Sequence, residues 1–385
     1  MPLGLLIALS LAAFASAATL RIADPLLPEI AHEFGMTPGA AAAIAVTTFT
    51  FAYGGIQIFF GPIGDRFGKV RTIAGAALAS VVTSLACALS DTADELLVAR
   101  ILAGATAGGI IPLCLAWIGD VVAFADRQRV LGRFLIGQTL GFVSGQAVGG
   151  LLGDLFGWRA AFVMLAALFF IGGVALLLVL RINGAAASDP PAASVRNLSF
   201  RDLLKRPRVR LVLSTVFLEG GLMYAAFAYI GTDLQHRGGA SVALAGAMLT
   251  AFAAGALAYS FAVGRMLTRM TRSRIAISGA LILAAGYLIL AADAERLVAI
   301  PALAVIGLGF TMLHNCLQVE ATQMIPEARG TALAMFASML FAGQALGVAI
   351  AGPVFDWVGA PALYLAVAFI LPLIAWRFAR GISVA

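Results

Sequence analysis

Glu219 is the only acid between residues 211 and 231, inside the apolar run STVFLEGGLMYAAFAYI. A permanent anion held away from water costs several kcal/mol unless it is paired. Such a carboxyl therefore takes up a proton when its surroundings are dry and returns it when they are wet. Gly220 and Gly221 follow directly and loosen the helix at that point. Histidine titrates near neutrality, and His314 lies in a second apolar run, where Thr311, Asn315 and Gln318 share its helical spacing and form a polar stripe. Glu219 and His314 are thus a pair that could bind and release a proton, or simply a packing hydrogen bond. A further cluster opens the chain. Arg21 and Asp24 stand three apart, followed by Pro25 and Pro28, and Arg100 is the lone base of LLVARILAGATAGG. Ionisable groups in such runs are functional candidates by default, with an interfacial salt bridge as the alternative here. Gln57 and Gln138 join Thr311, Asn315 and Gln318 as polar groups expected to face a cavity.

The elements that must position these groups follow from composition. Of 385 residues, 62% are hydrophobic and 11% charged, and the mean hydropathy is +1.00. Soluble proteins run near a quarter charged, so a soluble enzyme, a nucleic-acid module and a disordered scaffold are excluded together. The chain reads as an all-α integral membrane protein. A crossing helix needs about 20 apolar residues, and twelve runs qualify: 3–23, 40–60, 72–90, 96–118, 130–152, 160–181, 211–231, 242–263, 275–292, 297–319, 331–352 and 362–379. The opening run resembles a secretory leader but lacks a basic start and reads as a first span. Cys87, Cys114 and Cys316 lie far apart in apolar runs and suggest neither disulfide nor metal. The domain reading is a six-helix bundle over 1–182, a linker over 183–208 and a second bundle over 209–385. NGAAASDPPAAS in the linker should be coil, and SFRDLLKRPRVR a short amphipathic helix, or else a solvated turn, whose basic side suits an anionic membrane surface.

Orientation and internal repetition narrow the function. With a cytoplasmic N-terminus, 20 of the 25 basic residues fall in inside loops or the tail, while the outside loops hold mostly acids. Both termini are then cytoplasmic. GPIGDRFGKVR starts at Gly61 and GRMLTRMTRSR at Gly264, an offset of 203. Gly141, Gly150 and Asp154 recur as Gly343, Gly352 and Asp356 at an offset of 202. Two parallel six-helix repeats place a solute site near the midplane between the halves.

The same segments resemble the major facilitator superfamily, and in particular its 12-span drug/proton antiporters. GPIGDRFGKVR, with Gly61, Gly64, Asp65, Arg66, Gly68, Lys69 and Arg71, is similar to the family's cytoplasmic signature. That resemblance implies a latch closing the cytoplasmic face, its glycines allowing a tight turn and close helix approach. Gly141, Gly145, Gly149 and Gly150, preceded by Gly132, resemble the antiporter motif of span 5, but Gln146 stands where the family has proline. In some antiporters of this family an acid at the position of Asp24 works with an arginine at that of Arg100.

There is no phosphate-binding loop for ATP, since Gly68-Lys69 is followed by Val70. One proton falling through ~150 mV supplies ~3.5 kcal/mol, enough for a solute gradient of roughly 300-fold. The expectation is a non-enzymatic secondary transporter: proton-coupled efflux of small apolar or amphipathic molecules by alternating access, with symport or facilitated uptake as the alternative. It would need no cofactor or metal, bind no nucleic acid, work as a monomer with protons and the bilayer as partners, and reside in a bacterial inner membrane.

Overall fold

The computed structural model describes residues 3–122, 124–183, 203–292, 295–325 and 329–383, and these are helical with short turns. Among the described residues twelve helices are long and apolar enough to cross a membrane, which bears out the expected fold class. Spans 1 to 6 run Gly4–Glu33, Pro38–Phe67, Lys69–Ala88, Ala93–Val121, Val130–Phe156 and Trp158–Ile182. Spans 7 to 12 run Pro207–His236, Val242–Leu267, Arg272–Ala292, Leu297–Met324, Thr331–Val358 and Ala360–Ile382. The side carrying the ends of spans 6 and 7 that flank the linker is called the linker face, and the opposite side the distal face. The expected coil beyond Asn183, and residues 199–202 of the expected surface helix, lie outside the described residues. Of the rest, residues 204–206 form a turn and Pro207 to Arg210 already belong to span 7, so no separate amphipathic helix runs through to Arg210.

Turn chemistry sets the connections. Thr37, Thr92 and Ser241 each accept a hydrogen bond from the backbone N–H three residues on, starting spans 2, 4 and 8. Gly157 and Gly359 (φ +84° and +78°) make the abrupt turns into spans 6 and 12, in a region other residues rarely adopt.

The repeat is visible in the packing itself. An added Cβ at Gly141 would meet the carbonyl oxygen of Phe14, and one at Gly343 that of Phe217. Gly145 likewise faces the Ala18 carbonyl and Gly347 that of Gly221. Gly104 faces the Phe49 carbonyl and Gly307 that of Phe252. Each facing residue has its counterpart 203 positions later, so the halves are built from like contacts. Across the boundary Gly150 abuts Val242, and the counterpart of that contact is Gly352 against Gly39.

Three spans depart from plain helices. Span 1 is helical to Thr19, turns through residues 20–23, and resumes as a helix over Leu27–Glu33. Pro25 and Pro28 account for the break, since neither can donate a ladder hydrogen bond. Span 1 therefore ends ten residues beyond the sequence estimate, and Glu29 and Glu33 belong to it. Span 2 widens into a π-helical turn at Ala43–Thr47. Span 4 breaks between Ala107 and Ile110 at Gly108-Gly109, where Gly109 lies against the Phe60 ring.

Candidate functional site

Glu219 sits twelve residues into span 7, about 18 Å deep at 1.5 Å per residue. It is fully buried. Its Oε2 lies 2.9 Å from Nδ1 of His314 on span 10, while Oε1 has no hydrogen-bond partner among the described residues. His314 stacks on Phe310, ring centres 5.1 Å apart, and leans on Phe336 of span 11 at 5.5 Å. The aromatic walls hold the imidazole edge toward the carboxylate, and the histidine side chain keeps 19% exposure. The structure thus brings together the two groups whose spacing suggested proton exchange. His314 lies ten residues from the end of span 10 rather than five, because the helix continues to Met324.

Arg21 and Asp24 are both buried, with Nη1 to Oδ2 at 3.5 Å. They meet through the turn after Thr19 rather than along a helix face. Asp24 also faces Nε2 of Gln146 at 3.5 Å. The Arg21 guanidinium lies 4.0 Å over the ring of Tyr224 on span 7, which ties the two halves by a cation–π contact. Tyr224 in turn sits edge-on to Phe310 at 6.0 Å. A continuous run of side chains therefore links Asp24, through Arg21, Tyr224 and Phe310, to His314 and Glu219. Arg100 occupies a different setting from the one expected. Its Nε donates to the carbonyl oxygen of Ala45 at 2.6 Å, and the guanidinium lies 4.1 Å over Phe49. Ala45 belongs to the π-helical turn of span 2, whose altered ladder leaves a carbonyl for the arginine. Asp24 pairs with Arg21 and Gln146 in place of Arg100.

The remaining polar candidates divide. Gln138 is half-buried with an unpartnered Oε1. It lines a cleft of about 190 Å³ with Ala17, Leu20 and Phe142 of the first half and Phe252 and Ala256 of the second. Asn315 is half-buried and Gln318 exposed. Thr311 is turned back on its own helix, donating to the Gly307 carbonyl at 2.7 Å, and Gln57 is buried in span 2.

In the linker-face motif Lys69 bridges two acids, Asp65 at 2.8 Å and Asp120 at 3.1 Å. Asp120 ends span 4, so this triad fastens spans 2, 3 and 4 of one half. Arg66 lies over the ring of Phe67, and Arg71 is exposed. Gly68 turns the chain with φ +91°, and Gly64 packs against Leu113. Gly61 does not serve close approach, since nothing lies within 4 Å of where its Cβ would be. Gly132 is equally open, whereas Gly141, Gly145, Gly149 and Gly150 all meet neighbouring backbone or side chain.

Sequence reasoning missed four contributors. Gln146 was read as a departure from a motif, yet it reaches Asp24. Asp120 and Tyr224 carried no signal beyond their type. Ser16 was also unseen: it donates to the Ala107 carbonyl freed by the break in span 4 and meets the Tyr53 hydroxyl, both at 3.1 Å. Ser16 is the counterpart of Glu219 at the offset of 203, so the acid belongs to one half only.

Comparison with known proteins places this arrangement. The model of the Major Facilitator Superfamily matches residues 9–348 and 221–382. The uncharacterized MFS-type transporter YwfA of Bacillus subtilis is 25% identical, covering 98% of this chain and 93% of its own. The probable transporter SCO4007 of Streptomyces coelicolor is 28% identical, over 89% and 80% respectively. In fold the chain is similar to the POT family transporter PepTSo (TM-score 0.80, 14% identity, 99% and 98% covered). It is also similar to a bacterial homolog of the human lysosomal transporter Spinster in an inward-facing, unoccupied conformation (TM-score 0.75, 17% identity, 99% and 94% covered).

Proposed function

Since the chain belongs to the Major Facilitator Superfamily, whose members are transporters of small molecules and not enzymes, we propose that it is a proton-coupled antiporter exporting small apolar or amphipathic compounds by alternating access. The observation that carries this reading is the Glu219–His314 pair: a fully buried carboxylate 2.9 Å from an imidazole, with one oxygen unpartnered. In this reading the pair is the carrier of the transported proton, and alternating access exposes it first to one face and then to the other. The sparse polar lining, with Thr311 committed to its own helix, suits substrates with little hydrogen-bonding demand.

Contacts between the halves support alternation. On the distal face Gly39 N–H donates to Asp356 at 2.9 Å, and Gln235 Nε2 to the Pro25 carbonyl at 2.9 Å. Toward the linker face, Gln138 of span 5 and Ala256 of span 8 line a cleft of about 190 Å³ between the halves. These contacts support the reading of a carrier closed distally and open toward the linker face, and the basic loops support a cytoplasmic side for that face in a bacterial inner membrane.

The test is substrate-induced proton flux in proteoliposomes, using a panel of amphipathic compounds. Opposite movement of proton and solute supports antiport, and co-directional movement would establish symport instead. Glu219→Gln should keep substrate exchange while losing proton-driven accumulation. A mutant that still accumulates like the wild type makes Glu219 structural.

A further inference from the structure

The basic stretch that opens span 7 takes no part in the proton pathway. Arg208 and Arg210 project from the linker-face end of span 7 toward Arg377 of span 12, around a groove of about 570 Å³. Its remaining wall includes the apolar side chains of Leu211 and Ile382. Counter-charge is scarce among the described residues. The buried carboxylate of Glu320 takes Arg208 at 2.5 Å and Arg272 at 3.6 Å. Arg377 finds only the Ser214 hydroxyl, at 3.3 Å, and the exposed Arg210 side chain has no partner among the described residues. Close by, the Arg380 guanidinium stacks 3.8 Å over Trp376, a pairing suited to the headgroup layer, where tryptophan collects.

We propose that this groove binds one anionic phospholipid, its phosphodiester held by Arg210 and Arg377 and its acyl chain laid along Leu211 and Ile382. Three features select that occupant. Guanidinium forks match a phosphate oxygen pair, the apolar wall adjoins them as an acyl chain adjoins its phosphate, and the groove opens where a bilayer surface must lie for a chain of twelve spans. Basic pockets between helices at such a surface suit acidic headgroups. A lipid seated there would also brace the end of the helix that carries Glu219.

The test is native mass spectrometry of the full chain in detergent, titrated with phosphatidylglycerol and with phosphatidylcholine of the same acyl chains. The wild type should retain one phosphatidylglycerol in preference to phosphatidylcholine. Arg210→Gln/Arg377→Gln should bind it roughly 25-fold more weakly, the equivalent of two basic residues at about 1 kcal/mol each. Arg210→Lys/Arg377→Lys should keep most of the preference, and Arg71→Gln, at a remote linker-face position, all of it. Equal retention of the two lipids by the wild type overturns the proposal without recourse to any variant. So does unchanged binding in the double glutamine variant. Displacement of the lipid by millimolar inorganic phosphate would show a free-anion site and overturn it as well.

Discussion

At the scale of residues, the buried charges differ in what their loss should cost. Arg21 and Asp24 compensate one another inside protein, and Arg21 also covers Tyr224. Removing one partner of a buried pair leaves an uncompensated charge, at about 3–5 kcal/mol, while replacing both by apolar groups is often close to neutral. Arg21→Met should therefore lower the thermal unfolding temperature in detergent sharply, and Arg21→Met/Asp24→Leu should recover most of the loss. Equal destabilisation by the single and double variants would show that the pair contributes little. Glu219 and His314 were legible because a lone acid and a lone histidine in apolar runs have few other uses. Gln146 was not legible. An amide in a glycine-rich helix reads as a missing proline until the turn after Thr19 brings Asp24 beneath it. Arg100 was legible as a buried cation, but its partner is a backbone carbonyl, and side-chain pattern does not encode which carbonyl a π-helical turn will release.

Among the elements, glycines fall into two kinds that the sequence does not distinguish. Gly145 lies against the Ala18 carbonyl, and its counterpart Gly347 against that of Gly221. Backbone cannot yield to a new side chain as a rotamer can, so Gly145→Val should separate spans 1 and 5. Overpacking of this kind costs typically 1–3 kcal/mol, which would show as reduced yield of monodisperse protein. Gly61→Ala, with open space around it, should be tolerated. Gly68→Ala should cost upward of about 1 kcal/mol through its left-handed φ alone. Finding the reverse order for Gly61 and Gly68 would mean that the linker-face turn is rebuilt in the variants. The number and order of spans were readable from apolar run length. The breaks in spans 1, 2 and 4 were less so, because an apolar run looks the same whether its ladder is continuous or interrupted, and only the prolines and the Gly108-Gly109 pair hint at two of them.

For the whole molecule, the side each face occupies is open to a direct measurement. Cys87, Cys114 and Cys316 are all buried, so single cysteines can be labelled in an otherwise wild-type chain. Asp91, with a side chain 90% exposed on the distal face, should react as Asp91→Cys with an impermeant maleimide added outside intact cells. Thr268→Cys should react only after the membrane is opened, and the opposite pattern would invert the orientation. A disulfide joining cysteines at 25 and 235, where Gln235 now meets Pro25, should halt transport reversibly by holding the distal face shut. The repeat is also broken at one telling place. Arg21 and Tyr224 occupy like positions, 203 residues apart, and face each other at 4.0 Å. An exact two-fold copy would set arginine against arginine at this place, a repulsion of about 4 kcal/mol at an effective dielectric of 20, or tyrosine against tyrosine. The cation–π contact therefore requires the two halves to differ here, and exchanging one half for a copy of the other would destroy it.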